Sequence, residues 1–283
     1  MKHPTTPSSA LALVLLATLV YGFVAAPSIG DDAGASAALQ KIAAGEHRSA
    51  ENKARDRYRH PVETLTWFGL RDDMTVVELS PGGGWYTEIL APYLRDRGLL
   101  YAAGFDPKSE VDYFRESAKR FADKLAANPA SYGKVIVTIL QPPGELAIAP
   151  EGSADMVLTF RNLHGWVGNG HAKAVLQAVY RTLKPGGVFG VVAHRGDSSV
   201  EQDPKAASGY VNQDYAVALV ESAGFELIAS AEINANPADT RQHPEGVWTL
   251  PPTFQLGDKD RDKYAAIGES DRMTLKFVKP VTP

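Results

Sequence analysis

The sequence predicts an α/β fold in which a seven-stranded, mostly parallel sheet carries helices on both faces and the last strand is reversed. Short apolar runs alternate with segments of helical periodicity, an order typical of a parallel sheet. An early apolar run ends in an acid and leads through three glycines into a helix-like segment. Two strand-like runs near the end have no helix between them, which indicates that the final strand reverses direction.

The N-terminus resembles a secretory signal peptide. Its start is weakly basic, residues 10–26 are almost entirely apolar, and small residues precede Pro27 at a plausible cleavage site. The apolar stretch is short for a membrane span, although an uncleaved anchor is an open alternative. We therefore expect an exported, periplasmic protein that has no stable membrane insertion once the signal is removed.

We divide the chain into three parts, the last of which begins at Pro61. We expect residues 1–26 to be the signal peptide, residues 27–60 a linker with a helical segment, and residues 61–283 the main domain. The helical segment begins near residue 35 and turns heavily charged, which favours a solvated face; a lid over the glycine loop is the alternative. It should end at Pro61, because proline disfavours helix in the preceding residue.

Composition narrows the function. The formal net charge is −4 and no dense Lys/Arg block is present, so no nucleic-acid footprint is expected. The absence of cysteine excludes disulfides, thiolate zinc sites and cysteine nucleophiles. The histidines lack metal-ligand spacing, and we expect no metal site.

The elements of the main domain follow from apolar runs and their breakers. Helices are expected at residues 62–70, from residue 87 onward, and at residues 112–127, 172–183 and 211–223. Strands are expected at residues 76–79, 99–105, 134–140, 154–160, 188–193, 225–232 and 272–279. A tight turn is expected at 184–187, and a long irregular stretch at 234–268.

The glycine loop after the first strand is the main candidate for a ligand site. A dinucleotide fingerprint starting at Gly82 and Gly84 would need glycine at position 87, where Thr87 stands. No Lys or Arg lies between residues 76 and 94 to meet a phosphate, although a helix N-terminus can bind phosphate through its amides. These features count against a dinucleotide without excluding one.

Polar side chains follow three other strands. Asp106 comes about 20 residues after the glycines, where an acid commonly accepts hydrogen bonds from ribose. It can also cap the following turn, and the two roles are compatible. His164 lies in a polar loop after the fourth strand and His194 ends the fifth, so both can face the same crevice.

The segment Glu78-x-Ser80-x-Gly82-x-Gly84 resembles the acid-x-Gly-x-Gly-x-Gly loop of class I S-adenosylmethionine-dependent methyltransferases, with serine in place of the first glycine. The Leu-Lys-Pro-Gly-Gly turn before the fifth strand is frequent in that superfamily. More narrowly, three segments resemble a group of bacterial proteins that are predicted to be methyltransferases and often carry export signals. They are residues 81–88, 161–166 and 271–277.

The resemblance implies a Rossmann-like fold and S-adenosylmethionine as the methyl donor. By position, Glu78, Ser80, Gly82 and Gly84 would hold the methionine end of the donor, and Asp106 would hold its ribose.

Methyl transfer mainly requires alignment of the nucleophile with the methyl group. A base is needed only if the nucleophile carries a proton with a high pKa. His164 or His194 would supply that base, and Tyr86 would hold the acceptor; a purely structural role is the alternative for each.

We expect methyl transfer to a small-molecule acceptor. The alternative is a non-catalytic exported binding protein that keeps the fold. A nicotinamide-dependent oxidoreductase is a third hypothesis, disfavoured by Thr87. The sequence leaves the acceptor and the oligomeric state open.

Overall fold

The computed structural model of the protein describes residue 1 and residues 29–281. Apart from Met1, the expected signal peptide lies outside the described residues. Seven strands form one sheet in the order β3-β2-β1-β4-β5-β7-β6. The strands are β1 Thr75–Leu79, β2 Leu99–Gly104, β3 Ile136–Ile139, β4 Ala154–Phe160, β5 Leu183–His194, β6 Glu226–Ala231 and β7 Arg272–Val278.

Strands β1 to β5 pair in parallel, whereas β7 lies between β5 and β6 and pairs antiparallel with both. The predicted mostly parallel sheet with a reversed last strand is therefore confirmed.

Helices cover both faces of the sheet. They are α1 Ile29–Ala43, α2 Ala50–Lys53, α3 Asp56–Arg59, α4 Pro61–Phe68, α5 Thr87–Leu94, α6 Asp112–Ala127, α7 Pro129–Tyr132, α8 Leu163–Gly168, α9 Ala172–Thr182, α10 Gln213–Glu221 and α11 Arg261–Ile267. A 3-10 turn spans Gly246–Thr249. Within residues 29–281, no helix combines the length and the apolar character needed to cross a membrane.

The central strands are buried on both faces because successive side chains of a strand point to opposite sides. In β1, Val77 packs into one apolar core and Val76 into the other. In β4, Val157 and Leu158 divide in the same way. Parallel pairing of β1 with β4 and of β4 with β5 then brings three carboxyl ends to the same edge of the sheet.

The N-terminal segment differs from the expected linker and single helix. Helix α1 already begins at Ile29, and two short helices, α2 and α3, follow it. The solvated-face interpretation is wrong for Arg48, which is only 2% exposed. Its guanidinium donates to Asp56 at 2.7 and 2.8 Å and to Glu88 at 3.3 Å.

The carboxylate of Glu88 ties the N-terminal segment to the domain. Glu88 is buried in α5 and also accepts from Asn52 at 2.9 Å and from Lys124 of α6. The indole nitrogen of Trp85 donates to the carbonyl of Asn52 at 3.0 Å. Residues 48–59 are therefore held against Trp85 and α5, next to the glycine loop, and their role as a lid stays a prediction.

Three loop predictions also change. Helix α8 lies within the polar loop after β4, and residues 234–268 contain a 3-10 turn and α11. The turn expected at 184–187 belongs to β5, because Gly186 donates to the carbonyl of Lys279 and the amide of Lys279 donates to Gly187. These bonds continue the sheet pairing past the point where the sequence indicates a break.

We expect Glu88→Ala to destabilise the protein by about 2–4 kcal/mol, because it removes one of the two carboxylates that pair with the buried Arg48 and the carboxylate that pairs with the partly buried Lys124. Urea unfolding measures the effect. The control is Asp123→Ala, which removes an exposed ion pair with Lys119 and should cost less than about 1 kcal/mol. Equal costs for the two variants would show that Glu88 does not hold the segment.

Candidate functional site

The loop between β1 and α5 leaves an open stretch of main chain. Gly82 has φ +57°, and a Cβ added at Gly82 or Gly83 would meet nothing within 4 Å. Ser80 adopts φ +47°, so the serine takes the left-handed conformation that a glycine would favour there. The departure from the acid-x-Gly-x-Gly-x-Gly pattern therefore leaves the path of the loop intact.

Gly84 does not face this open stretch. A Cβ at Gly84 would lie 3.1 Å from the ring of Phe121 and 3.2 Å from the side chain of Lys124, both on α6. Its φ of +74° and this close approach require glycine for packing. Gly84 therefore has a packing role against α6, and its contact with a cofactor stays a prediction.

Glu78 is buried at the end of β1, with 2% of its surface exposed. The hydroxyl of Thr87 donates to Glu78 Oε2 at 2.6 Å. Burial raises the pKa of Glu78 to about 7, even though the Thr87 hydrogen bond acts in the opposite direction. The residue that breaks the dinucleotide fingerprint thus holds the acid of the glycine loop.

Two adjoining cavities open at the carboxyl edge of the sheet. The arginine cavity, about 340 Å³, is lined by residues that include Arg55, Arg59, Glu78, Ser80, Gly82, Tyr86, Arg161, His164, His194 and Trp248. The aromatic cavity, about 520 Å³, is lined by residues that include Ser80, Phe105, Tyr113, Phe114, Leu140, Gln141, Arg161, Asn162 and His164. Ser80, Arg161 and His164 line both, so the cavities share a wall.

His164 and His194 lie side by side in the arginine cavity, with ring centroids 5.6 Å apart. Burial and the charge of Arg161 lower the pKa of His164 to about 4. Burial, His164 and nearby arginines lower the pKa of His194 well below its usual range. His194 Nδ1 lies 2.5 Å from Ser270 Oγ. Both imidazoles are therefore neutral near pH 7 and can accept a hydrogen bond, although their lowered pKa values make them weak bases.

Tyr86 also lines the arginine cavity, but its hydroxyl is engaged. It donates to the carbonyl of Arg59 at 3.3 Å, and its ring stacks on Phe160 at a centroid distance of 3.4 Å. Burial raises the pKa of Tyr86, which keeps the phenol protonated. The side chain is thus a rigid wall of the cavity.

Asp106 follows β2 but lines neither cavity, although Phe105 beside it does. Asp106 Oδ1 accepts from the amide of Lys108 at 2.8 Å, so the expected capping of the next turn is present. The amide of Asp106 donates to Gln141 Oε1 at 2.9 Å. Contact of Asp106 with a ribose stays a prediction.

The sequence reasoning missed a cluster of arginines around Glu269. Glu269 accepts from Arg55 Nε at 2.6 Å and from Arg59 Nε at 3.0 Å, and Arg272 NH1 lies 3.3 Å away. Burial would raise the pKa of Glu269, but the surrounding guanidinium groups outweigh it and hold the pKa at about 2. These partners are more than 200 positions apart in the chain, except for Arg272, so no local pattern could have revealed them.

Arg195, the first residue after β5, pairs with Asp271 and Glu232. Within residues 29–281, no group of three or more His, Asp or Glu side chains is arranged to hold a metal ion.

No family model and no curated protein sequence matches this chain. The similarity lies in the structure. A S-adenosylmethionine-dependent methyltransferase from Aquifex aeolicus aligns with a TM-score of 0.53 at 15% identity, covering 86% of this chain and 98% of that chain. A protein described as a candidate sarcosine dimethylglycine methyltransferase from Galdieria sulphuraria has a TM-score of 0.53 at 13% identity, with 82% and 88% covered. The cyclase SpnF has a TM-score of 0.53 at 17% identity, with 84% and 86% covered.

These neighbours show that the chain has the Rossmann-like methyltransferase fold. Because their sequence identities are low, these neighbours show the fold and not the activity, and one of the three is described as a cyclase. A function must therefore be argued from the site.

We expect Glu78→Gln to change how stability depends on pH. When the pKa of an acid is higher in the folded state than in the unfolded state, the acid does not lower the free energy of unfolding below its unfolded pKa. As the pH rises from the unfolded pKa to the folded pKa, the acid destabilises the fold increasingly. The stability of the variant relative to wild type should therefore grow by about 2–3 kcal/mol between pH 5 and pH 8. Urea unfolding at several pH values measures it.

The matched control is Glu110→Gln, which makes the same substitution at an exposed acid. A pH-independent difference between Glu78→Gln and wild type would contradict a raised pKa at Glu78.

Proposed function

We propose that the protein transfers a methyl group from S-adenosylmethionine to a small-molecule acceptor. The observation that carries the proposal is the open main chain at Gly82 and Gly83, beside the buried acid Glu78 and at the mouth of the arginine cavity. A loop that presents main chain with no side chain above it suits close approach of a ligand. The cavity volumes are those of small-molecule sites.

The surrounding residues fit the chemistry of the donor. Glu78 is an acid that a cationic amino group would pair with, and such pairing would lower its raised pKa. The amides of Gly82 and Gly83 lead into the N-terminus of α5, which suits a carboxylate. The aromatic cavity offers Phe105 and Phe114 to an adenine ring. Asp106 is the candidate for the ribose.

When bound, the donor would supply a methyl group on a sulfonium, and transfer would join that carbon to a lone pair of the acceptor while the electrons of the broken carbon–sulfur bond stay on sulfur. The protein would contribute position and exclusion of water. His164 and His194, both neutral near pH 7, are the groups that could take a proton from the acceptor. Tyr86 keeps its own proton and forms a wall of the cavity.

We also propose that the mature protein works outside the cytosol, on the strength of the signal-like residues 1–26. Fractionation of cells expressing the full chain tests this, since a periplasmic product shortened near residue 26 is expected. A full-length cytosolic product would contradict it.

We expect Gly82→Val to abolish binding of S-adenosylmethionine, because the new side chain would occupy the ligand's approach. Isothermal titration with S-adenosylhomocysteine measures affinity. The control is Gly152→Val, which introduces the same left-handed strain, at φ +63° and in equally open space, on a turn that lines neither cavity. Unchanged affinity in Gly82→Val would refute the placement.

Thermal shift separates the three candidate functions. Stabilisation by S-adenosylmethionine and S-adenosylhomocysteine, and not by NAD, is expected. Stabilisation by NAD alone would indicate an oxidoreductase. Stabilisation by the donor with no turnover of any acceptor tested would favour the non-catalytic binding protein.

A further inference from the structure

Arg161 is the first residue after β4, and its guanidinium forms no hydrogen bond or ion pair with the described part of the chain. The backbone has φ +66°, a conformation in which an arginine is strained. The main-chain amide is fixed by a hydrogen bond to the carbonyl of Val192 at 2.7 Å. Within residues 29–281 the side chain makes no hydrogen bond or ion pair, and its NH1 atom is buried. It lines both the arginine cavity and the aromatic cavity.

The surroundings of Arg161 make this arrangement costly. The charges of Arg55, Arg59, Arg161 and Arg272 all act on Glu269, and that of Arg161 also acts on Glu78. Four guanidinium groups therefore share two carboxyl groups, an excess of at least two positive charges. The NH1 atom of Arg59 is also buried without a hydrogen-bond partner. Arg59 is 3% exposed and lines the arginine cavity.

Burying an unpaired charge is strongly unfavourable, and breaking rather than replacing a buried pair is especially so. Burial and the other arginines lower the pKa of Arg161 only to about 10, so it stays charged at neutral pH. A ligand that carries the missing negative charge removes this cost. Guanidinium groups are well suited to bind such an anion because their planar group donates two parallel hydrogen bonds to carboxylate or phosphate oxygens.

We propose that the methyl acceptor is a small acid whose carboxylate or phosphate is held by the guanidinium groups of Arg59 and Arg161, beside His164 and His194. This proposal rests on the proposed function. The donor's own carboxylate is the competing occupant. It already has the amides of Gly82 and Gly83 and the N-terminus of α5 available to it.

An anion at this position would also act on the histidines. The cations that face them are Arg161 for His164, and Arg272, Arg161 and Arg59 for His194, which is also in contact with Ser270. An anion that offsets these charges raises both imidazole pKa values. The bound acceptor would thereby strengthen the groups positioned to take its proton.

The test uses Arg161→Gln in the full mature chain. Thermal shift is measured with benzoate, with inorganic phosphate and with neutral benzamide, at constant ionic strength in chloride. Wild type is expected to be stabilised by benzoate or phosphate and not by benzamide, and the variant by none of them. The ligand-free variant is expected to melt at or above the wild-type temperature, because it loses a cation that lies near three other guanidinium groups and that makes no hydrogen bond within residues 29–281.

The matched control is Arg57→Gln, which removes the same charge from an exposed position of α3 and should respond like wild type. Arg161→Lys keeps the positive charge but lacks the planar guanidinium. Its stabilisation by benzoate or phosphate should therefore lie between those of wild type and Arg161→Gln. Benzoate and phosphate tell the two acid classes apart, since the better match gives the larger shift.

Histidine NMR supplies a readout on the wild-type protein, and a variant is needed only to assign the signal. The pKa of His164, assigned with His164→Gln, should rise from about 4 toward its usual range when benzoate or phosphate is present. No change in the imidazole titration would overturn the proposal.

Calorimetry with S-adenosylhomocysteine identifies the occupant. If Arg161 held the donor's carboxylate, Arg161→Gln would weaken this ligand roughly tenfold or more, the equivalent of 1.4 kcal/mol. It would then leave 5′-methylthioadenosine, which lacks the carboxylate, unaffected. That result, or an anion response in the variant equal to wild type, would overturn the proposal. If wild type binds anions at Arg161 but not S-adenosylhomocysteine, the proposed function fails and the anion site stands.

Discussion

A charge removed from water must find a partner, and this constraint shapes most of the molecule outside its sheet. Glu88 meets the requirement for Arg48 and Lys124, and so fixes the N-terminal segment against the glycine loop. Glu269 meets it for Arg55 and Arg59 and joins α3 to the residues before β7. The same rule makes Arg161 conspicuous. In residues 29–281 it remains without a partner, at the wall where the two cavities meet.

The sheet itself was readable from the sequence because its signals are local. Apolar runs bounded by glycine and proline gave all seven strands to within a few residues, apart from the earlier start of β5 at Leu183. The convergence of His164 and His194 was also predictable, since parallel strands place their carboxyl ends together. The glycine loop followed from spacing, and Ser80 adopts the conformation that a glycine would have favoured.

What could not be predicted depends on pairs far apart in the chain. The charges of residues 48–59 have the composition of a solvated helix face, and their burial depends on Glu88 and Glu269, which lie far away in the chain, together with Asp56. Gly84 shows the same limit at short range, since its place in the pattern matches a ligand loop while its neighbour is α6. Residues 234–268 lack periodicity because buried side chains satisfy their main chain. Asp239, for example, accepts from the amides of Arg241 and Asp271 and from the hydroxyl of Tyr210.

Trp85 gives the N-terminal segment an optical signature. The guanidinium groups of Arg48 and Arg59 lie over the indole ring, 5.0 and 4.7 Å from its centroid. Its nitrogen donates a hydrogen bond to the carbonyl of Asn52, so residues 48–59 hold the fluorophore in place. Any displacement of these residues alters the charges near the indole and shifts its emission wavelength. The emission of Trp85 can therefore report whether residues 48–59 move relative to the indole.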